Sequence, residues 1–314
     1  MRIASVRHEG ERRFGVVADG GLRLIAPGVD LYDALAADTM ERHLTDDLVV
    51  LAADAPREVP MPVATIRDFI TFEQHTAGSL RAVTGADVVP EAWYEAPAFY
   101  FTNPHAALGS GQPVPMPPGC TTFDFELEVA AVIGRAGYNL TVDEARECIV
   151  GYTILNDWSA RDLQRREMRV GLGPAKGKDT ATTLGPELVT VDELAGREDG
   201  DRLALGMSVR VGDDLIGEDD LRQMAWSFAE LISYASRGTW VRPGDVIGSG
   251  TAGGGCLAEL WGWNGEERPA PLRIGDTVTM TVEGLGTIRN TVVAGPEIHE
   301  IPRARRVEYV PPTN

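Results

Sequence analysis

The sequence predicts an α+β protein in which β-structure dominates, with a small β-rich domain at residues 1–62 and a larger domain at 63–314. Three observations support this prediction. Short apolar runs alternate with frequent prolines and glycines, which is typical of short strands joined by turns. The shortness of the apolar runs favours an irregular, β-dominated second domain over a Rossmann fold. The stretch 52–62, AADAPREVPMP, is polar and contains prolines, so we expect the domain boundary there.

The N-terminal domain is predicted to contain three strands followed by a helical segment. The candidate strands are RIASVRHEG, RFGVVA and LRLIA. Asp19-Gly20-Gly21 lies between the last two and is typical of a hairpin turn. The helical pattern that follows is LYDALAADTMERHL.

Two helices and a strand pair stand out in the second domain. Thr141-Val142-Asp143-Glu144 is a capping box, which predicts a helix over VDEARECI. Segment 221–237, LRQMAWSFAELISYASR, has apolar residues at helical spacing, and this stripe indicates core packing. Near the C-terminus, PLRIGDTVTMTVEGLGTIRNTVV predicts two strands joined by the turn Glu283-Gly284-Leu285-Gly286.

Charge and composition disfavour several classes of partner. The formal net charge of −18 should repel nucleic acid and anionic membrane surfaces, so an anionic substrate would need local cations or a metal ion. The start of the chain has no signal-peptide core, and no apolar run approaches a membrane span. The three cysteines are far apart and indicate neither a disulfide framework nor a zinc motif. We therefore expect a cytoplasmic protein.

The stretch FDFELEVAAVIG carries three acidic residues at alternate positions. In a strand, Asp124, Glu126 and Glu128 would share one face. A solvated edge strand would explain such a face, but the run that follows is apolar on both faces and indicates a central strand. Three buried like charges repel, and a hard divalent cation such as Mg²⁺, Mn²⁺ or Ca²⁺ would relieve that repulsion.

A second polar segment, GYTILNDWSARDLQ, runs from a predicted strand into a helix. Asp157 lies at the corner, where it is either a functional side chain or a turn former. Ser159 and Asp162 have the spacing of a capping box. Arg161 and Gln164 are three residues apart on one helix face, so they can offer donors to a substrate oxygen or simply make surface contacts.

Three further segments carry weaker signals. DFITFEQH contains His75, and a single histidine is more often structural than catalytic. The segment GLGPAKGK fails the spacing of a phosphate loop and is interpreted as a loop that delivers Lys178. The glycine-rich segment 248–255 offers backbone N–H groups that can hold an anion, although a mobile loop is the simpler interpretation.

Taken together, these segments resemble the fumarylacetoacetate hydrolase family. The resemblance rests on an ordered set of motifs: D-x6-H, E-x-E in an apolar strand, N-D-x-S-A-R-D-x-Q, a G-K loop, a G-T-x-G loop and a late glutamate. It covers nearly all of the chain after about residue 63, and the N-terminal domain resembles one that some members carry. It implies a mixed β-roll or barrel-like catalytic domain and a homodimer.

The resemblance also implies a role for each motif residue. A divalent cation, usually Mg²⁺ and sometimes Mn²⁺ or Ca²⁺, would be held by Asp68, Glu126, Glu128 and Asp157. His75 would act as a general base that Glu259 orients. The oxygens of a small anionic substrate would be held by Lys178, Arg161, Gln164, Thr251 and Tyr100.

The implied activity is hydrolysis of a carbon–carbon bond in a β-diketo acid, through an enolate stabilised by the metal ion. Decarboxylation, hydration or isomerisation of a small keto or dienoic acid would use the same site. A non-catalytic binding protein would need none of His75, Lys178 and Glu259. Ile70 and Met168 stand where fumarylacetoacetate hydrolases proper tend to have tyrosine, and Gly78 replaces the glutamate of the H-x-x-E pair of acylpyruvases.

Overall fold

The computed structural model describes residues 1–18, 20–50, 52, 55–86 and 88–308. Its helices are α1 (Leu31–Ala36), α2 (Glu73–Thr84), α3 (Glu91–Glu95), α4 (Val142–Arg146), α5 (Arg161–Met168), α6 (Phe228–Ala235) and α7 (Leu257–Asn264). Short 3-10 helices cover Met40–His43, Pro104–Ala106, Val191–Leu194 and Leu221–Gln223.

Strands make up most of the regular structure. In the first half of the chain they are β1 (Arg2–His8), β2 (Glu11–Ala18), β3 (Gly21–Ile25), β4 (Leu44–Val50), β5 (Thr65–Phe69), β6 (Phe99–Thr102), β7 (Ala107–Leu108), β8 (Val114–Pro115), β9 (Phe123–Asp124), β10 (Leu127–Ile133), β11 (Gly137–Tyr138) and β12 (Ile149–Asp157). In the second half they are β13 (Ser159–Ala160), β14 (Thr182–Thr190), β15 (Glu198–Asp199), β16 (Arg202–Leu203), β17 (Gly206–Val211), β18 (Asp214–Asp220), β19 (Trp240–Val241), β20 (Asp245–Gly248), β21 (Thr277–Val282) and β22 (Gly286–Val293).

The largest sheet has 11 strands, in the order β4-β3-β2-β1-β14-β12-β10-β20-β5-β6, with β7 paired to β14. Most neighbours are antiparallel, but β20–β5 and β14–β7 are parallel. A second sheet has 5 strands, in the order β18-β17-β21-β22-β8. The predicted β-dominated α+β class with mixed sheets is therefore confirmed. Over the described residues the large sheet keeps two edges, β4 and β6, and does not close into a barrel.

The N-terminal strands extend the large sheet. Strand β1 pairs with β14, so strands β1–β4 form one side of a sheet that continues into the second half of the chain. The division at residue 62 stays a prediction. Strands β2 and β3 form the expected hairpin, with Ala18 opposite Gly21. Asp19 of the hairpin signal lies outside the described residues.

Two of the predicted elements in the second domain are confirmed. Thr141 and Glu144 form a capping box at the start of α4, although this helix ends at Arg146, earlier than expected. Strands β21 and β22 form the C-terminal pair, with Val282 opposite Gly286 across the predicted turn.

The single helix expected over residues 221–237 is wrong. A 3-10 turn ends at Gln223, the chain is extended at Met224, and α6 begins at Phe228. The reason is a capping box that the sequence analysis missed, because Ser227 and Glu230 each accept a hydrogen bond from the other's backbone N–H. Apart from Ala225, which is exposed, the apolar stripe is nevertheless buried, as expected of core packing: Leu221, Met224, Phe228, Leu231, Ile232 and Ala235.

Strand β10 occupies the centre of the molecule, between β12 and β20. All of its residues are buried. One face, which includes Val129 and Ala131, packs into the main hydrophobic core, whereas Ala130 and Val132 pack against the N-terminal part of the chain. The central position inferred from the two-sided apolar run is therefore confirmed. Among the described residues, no helix combines the length and the apolar character needed to cross a membrane.

Candidate active site

Acidic side chains from neighbouring strands meet where the start of β10 lies beside the ends of β5 and β12. Strand β10 runs antiparallel to both β12 and β20, and β20 runs parallel to β5. The start of β10 therefore lies beside the ends of β5 and β12. This arrangement brings together the four carboxylates predicted as metal ligands: Asp68 on β5, Glu126 and Glu128 at the start of β10, and Asp157 at the end of β12.

A glycine allows the carboxylates to approach one another. Gly248 pairs with Asp68 across β20 and β5. A Cβ atom at Gly248 would lie 2.4 Å from Asp68 Oδ1 and 3.1 Å from Glu128 Oε2, both closer than normal packing permits. The first glycine of the glycine-rich segment is therefore required by the acidic cluster.

The carboxylate oxygens have the arrangement of a cation site. Oxygens of Asp68, Glu126 and Glu128 all lie within 4.8 Å of one another. Three buried oxygens of this cluster have no hydrogen-bond partner among the described residues: Asp68 Oδ1, Glu128 Oε2 and Asp157 Oδ1. Buried oxygens are rarely left unpaired. An all-oxygen set of this kind fits a hard divalent ion.

The protonation of the cluster reflects burial and its two cations. Burial raises the pKa of Glu128 well above its ordinary value, and the nearby Asp68 raises it further. Burial also raises the pKa of Asp68 and, although Lys178 opposes it, raises that of Asp157 to about 7. Burial acts on Glu126 as well, but Lys178 and Arg161 outweigh it and lower its pKa. Without a cation, the other carboxylates therefore retain protons more readily than ordinary acids.

The expectation of one continuous acidic strand is wrong, and Asp124 lies outside the oxygen set that Glu126 and Glu128 form with Asp68. The strand breaks between β9, which ends at Asp124, and β10, which begins at Leu127. Asp124 accepts hydrogen bonds from Arg161 Nε at 2.8 Å and from the first N–H groups of α7. Arg161 also contacts Glu126, so Asp124 is linked to the cluster through this guanidinium.

Two cationic side chains border the cluster. Lys178 Nζ donates to Glu126 Oε2 and to Asp157 Oδ2, both at 2.6 Å. The Arg161 guanidinium lies 2.7 Å from Glu126 Oε1 and donates from Nη1 to Gln164 Oε1 at 3.1 Å. The loop that was predicted to deliver Lys178 therefore places its amine among the carboxylates, and Gln164 contacts Arg161 as the helix spacing allows.

The predicted capping box at the start of α5 is wrong. Ala160 is the N-cap residue and makes no side-chain cap. Ser159 instead donates to the Asp157 carbonyl at 2.9 Å, and the Asp162 carboxylate accepts from the backbone and hydroxyl of Thr121. A local partner of Ser159 and a distant partner of Asp162 therefore take the groups that would otherwise cap the helix.

His75 and Glu259 lie side by side on two packed helices. His75 Nδ1 on α2 is 3.4 Å from Glu259 Oε2 on α7, and both side chains are buried. Glu259 also accepts hydrogen bonds from Gln74, Trp263 and the Gly254 N–H. Burial disfavours its charged form, but the bonds from His75, Gln74 and Gly254 outweigh burial and lower its pKa. An ionised Glu259 can therefore orient the imidazole.

Tyr100 and Thr251, predicted as substrate contacts, both touch the acidic cluster. The Tyr100 hydroxyl donates to Asp157 Oδ2 and also lies 3.2 Å from Asp68 Oδ2. Thr251 Oγ1 lies 3.5 Å from Glu128 Oε1. Tyr100 thereby connects Asp157 to Asp68. Without this link Asp157 stands apart, since its oxygens fall outside the set in which the oxygens of the other three acids all lie within 4.8 Å of one another.

A cleft of about 730 Å³ opens beside Arg161 and Gln164. Its walls are mostly apolar, and it extends along α5 to two arginines that the sequence analysis missed, Arg165 and Arg169. Their spacing of four and eight residues from Arg161 places all three on one helix face and was a readable signal. Among the described residues, neither Arg165 nor Arg169 has a carboxylate within ion-pair distance. The lining of the cleft also includes Ser79, Trp93, Met168, Ala258 and Trp261.

Comparison with known proteins identifies the family. Residues 65–293 match the model of the fumarylacetoacetate (FAA) hydrolase C-terminal domain. The chain is similar to the mitochondrial oxaloacetate tautomerase fahd2 of Xenopus laevis, 34% identical over 186 residues, which cover 59% of this chain and 54% of the frog protein. It is also 29% identical to the fumarylacetoacetase of Arabidopsis thaliana over 273 residues, covering 72% of this chain and 64% of that protein.

A solved structure has the same fold over nearly the whole chain. The 5-carboxymethyl-2-hydroxymuconate delta-isomerase of Mycobacterium smegmatis superposes with a TM-score of 0.68 and 26% identity, covering 94% of this chain and all of that one. The chain thus spans only about half to two thirds of the length of the frog and Arabidopsis proteins, but the full length of the Mycobacterium smegmatis structure. The family model accounts for most of the sequence, including every predicted metal ligand, His75 and Glu259. The chain therefore belongs to the fumarylacetoacetate hydrolase family.

Proposed function

We propose that the protein is a divalent-cation-dependent hydrolase that cleaves a carbon–carbon bond in a small anionic β-diketo acid. The observation that carries this proposal is the buried contact between His75 and Glu259, 3.4 Å apart and beside the acidic cluster. A protein that only binds a cation needs no imidazole oriented by a carboxylate. A hydrolase needs one to activate water.

The cation would be held by Asp68, Glu126, Glu128 and Asp157. The unpaired, buried oxygens of Asp68, Glu128 and Asp157 suit Mg²⁺, Mn²⁺ or Ca²⁺ better than a soft metal. When bound, such a cation supplies Lewis acidity that stabilises negative charge developing on a substrate carbonyl oxygen.

His75 would take a proton from the attacking water while Glu259 holds its ring. The water oxygen forms a bond to the distal carbonyl carbon of the substrate. The carbon–carbon bond then breaks, and its electron pair remains on the other fragment as an enolate. The proton held by His75 returns to the carbon of that enolate, which completes the reaction with one water consumed.

Basic side chains would attract the anionic substrate despite a net charge of −18. Lys178 and Arg161 partly neutralise the acidic cluster. Arg165 and Arg169 extend this positive charge along the cleft, where exposed cations increase the local concentration of an anion.

A second candidate function is tautomerisation or isomerisation of a small oxo acid. It is favoured by the 34% identity to the frog protein that is named an oxaloacetate tautomerase. In that reaction, His75 would move a proton between carbon and oxygen, or between two carbons, without attack by water. The two candidates therefore differ in whether water enters the product.

Incubation in ¹⁸O-labelled water separates the two candidates. A panel of β-diketo acids and oxaloacetate-like acids would be tested with Mg²⁺ and with a chelator, and the products identified by mass. We expect cleavage with one ¹⁸O atom in the new carboxylate, lost on chelation and in His75→Ala, but retained in the control His105→Ala, which lies on an exposed 3-10 turn. Unlabelled, uncleaved isomers as the only products would overturn the hydrolase proposal in favour of the second candidate.

A further inference from the structure

A second set of metal-ligating groups adjoins the carboxylate cluster. It consists of His75, Cys256 and Glu126, whose ligand atoms all lie within 4.8 Å of one another. All three side chains are buried. Cys256 is a free cysteine, and its Sγ lies 3.7 Å from His75 Nδ1. Glu126 belongs to both sets.

The chemistry of this second set differs from that of the first. Thiolate and imidazole ligands favour Zn²⁺ and other soft or borderline ions, whereas carboxylates alone favour Mg²⁺ and Ca²⁺. In a tetrahedral zinc site, ligand atoms at normal bond lengths are about 3.4–3.6 Å apart. The His75–Cys256 separation of 3.7 Å is already close to this value, and Glu126, which lies within 4.8 Å of both, would have to approach by at most about 1.4 Å.

The three groups can bind a metal ion, although an ion at His75 Nδ1 would take the place of its 3.4 Å contact with Glu259 Oε2. Cys256 Sγ is the N-cap acceptor for the Glu259 N–H at 3.4 Å, and a thiolate can bind a metal and still accept this bond. A carboxylate offers about four lone-pair directions, so Glu126 can bind an ion while it contacts Lys178 and Arg161. The thiol proton is released to solvent when a metal binds.

We propose that His75, Cys256 and Glu126 form a binding site for a thiophilic divalent ion such as Zn²⁺ or Cd²⁺, next to the hard-cation site. Three protein ligands leave a fourth position for water. An ion bound there occupies the imidazole and stops turnover. This effect on turnover rests on the proposed role of His75, but the binding site itself does not.

The site would be tested by titrating the full-length protein with Cd²⁺ or Co²⁺ in the presence of excess Mg²⁺. We expect one equivalent to produce a thiolate-to-metal charge-transfer absorption. This absorption should vanish in Cys256→Ser, in which serine keeps an oxygen at the N-cap position. It should persist in Cys148→Ser, which removes another buried thiol, one that donates to the Glu144 carbonyl. Zinc affinity should fall more than about 100-fold in Cys256→Ser, since even loss of an indirect partner costs 10- to 100-fold.

Absence of the charge-transfer absorption, or its full retention in Cys256→Ser, would overturn the site. Inhibition is measured separately, with each variant compared with its own zinc-free rate. We expect Zn²⁺ to inhibit the wild type and the Cys148→Ser control far more strongly than Cys256→Ser. A protein that binds Cd²⁺ through Cys256 but turns over no oxo acid supports the site and overturns the proposed function alone.

Discussion

Asp124 holds Arg161 against the first turn of helix α7. Its carboxylate accepts hydrogen bonds from Arg161 Nε at 2.8 Å and from the backbone N–H groups of Leu257 and Ala258 at 2.9 and 3.0 Å. Glu259 is the next residue of this helix, and Arg161 also contacts Glu126. One buried carboxylate thus connects the cationic edge of the acidic cluster to the helix that carries the partner of His75.

Substitution of Asp124 by asparagine should lower the free energy of unfolding by about 3 kcal/mol, because it removes one of the two carboxylates that pair with the buried Arg161 charge and leaves only Glu126. Urea denaturation measures this change. Glu147→Gln is the matched control, because Glu147 pairs with Arg135 at 2.8 Å on the surface, where loss of a pair costs at most about 1 kcal/mol. Equal losses in the two variants would contradict the importance assigned to the buried pair.

Substitution of Glu259 by glutamine should reduce kcat by about 100-fold with little change in KM, because the neutral amide no longer stabilises the protonated imidazole. Steady-state kinetics on a substrate found in the labelled-water panel provides the measurement. Glu73→Gln is the control, since Glu73 lies two residues from His75 but accepts a hydrogen bond from Tyr94 at 2.6 Å. Wild-type kcat in Glu259→Gln would remove this residue from the mechanism.

Substitution of Glu128 by glutamine should weaken Mg²⁺ and Mn²⁺ binding by more than about 100-fold, because it removes a direct ligand oxygen. Loss of a residue that only hydrogen-bonds to a ligand already lowers metal affinity 10- to 100-fold. Isothermal titration calorimetry measures the affinity. Asp219→Asn serves as the control because Asp219 bonds the Gly253 N–H and lies outside the cluster of acidic ligands. Unchanged affinity in Glu128→Gln would show that the unpaired oxygens do not hold the cation.

Substitution of Arg165 or Arg169 by glutamine should raise KM for an anionic substrate about 2- to 5-fold and leave kcat unchanged, because exposed charges contribute up to about 1 kcal/mol. The increase should shrink as salt is added, because salt screens exposed charges. Arg166→Gln is the control, on the same helix but away from the cleft lining. If Arg166→Gln raises KM as much, the effect arises from net charge and not from the cleft.

The stability of the cation-free protein should depend on pH through Asp157. Its pKa is about 7 in the folded protein and about 4 in an unfolded chain, so the folded state binds this proton more tightly. The contribution of this proton to the free energy of unfolding is fully present below a pH of about 4 and is lost as the pH rises through 7. In the presence of a chelator, Tm should therefore fall over this interval. The Tm of Asp157→Asn should fall less steeply with pH, and an identical slope in this variant would refute the assignment to Asp157.

Much of the candidate site could be predicted because its motifs are local. Alternation along a strand places Glu126 and Glu128 on one face whatever the strand's neighbours. The apolar run after them required a buried, central position, which the structure confirms for β10. The same rule failed at Asp124, because a break between two strands is set by the partners that each half finds and not by alternation.

Helix boundaries illustrate the same limit. Residues 221–237 have helical periodicity throughout, yet Ala225 donates its backbone N–H to the Thr71 carbonyl and Ser227 caps a new helix. At the start of α5, Ser159 bonds the nearby Asp157 carbonyl and Asp162 bonds the distant Thr121, and these two contacts replace the expected cap. Periodicity reports which residues face the core, but it does not report which backbone groups have competing partners.

The sequence by itself determined the class of the fold and the acidic segment, and its resemblance to a known family named the residues placed at the site, because strand alternation and family motifs are both properties of short segments. Only the tertiary structure decided which of those residues meet. Asp68, Glu128 and Asp157 lie on three strands whose pairing is set by burial across the whole sheet. The approach of Cys256 to His75, and of Arg165 and Arg169 to the cleft, likewise depends on how distant segments pack.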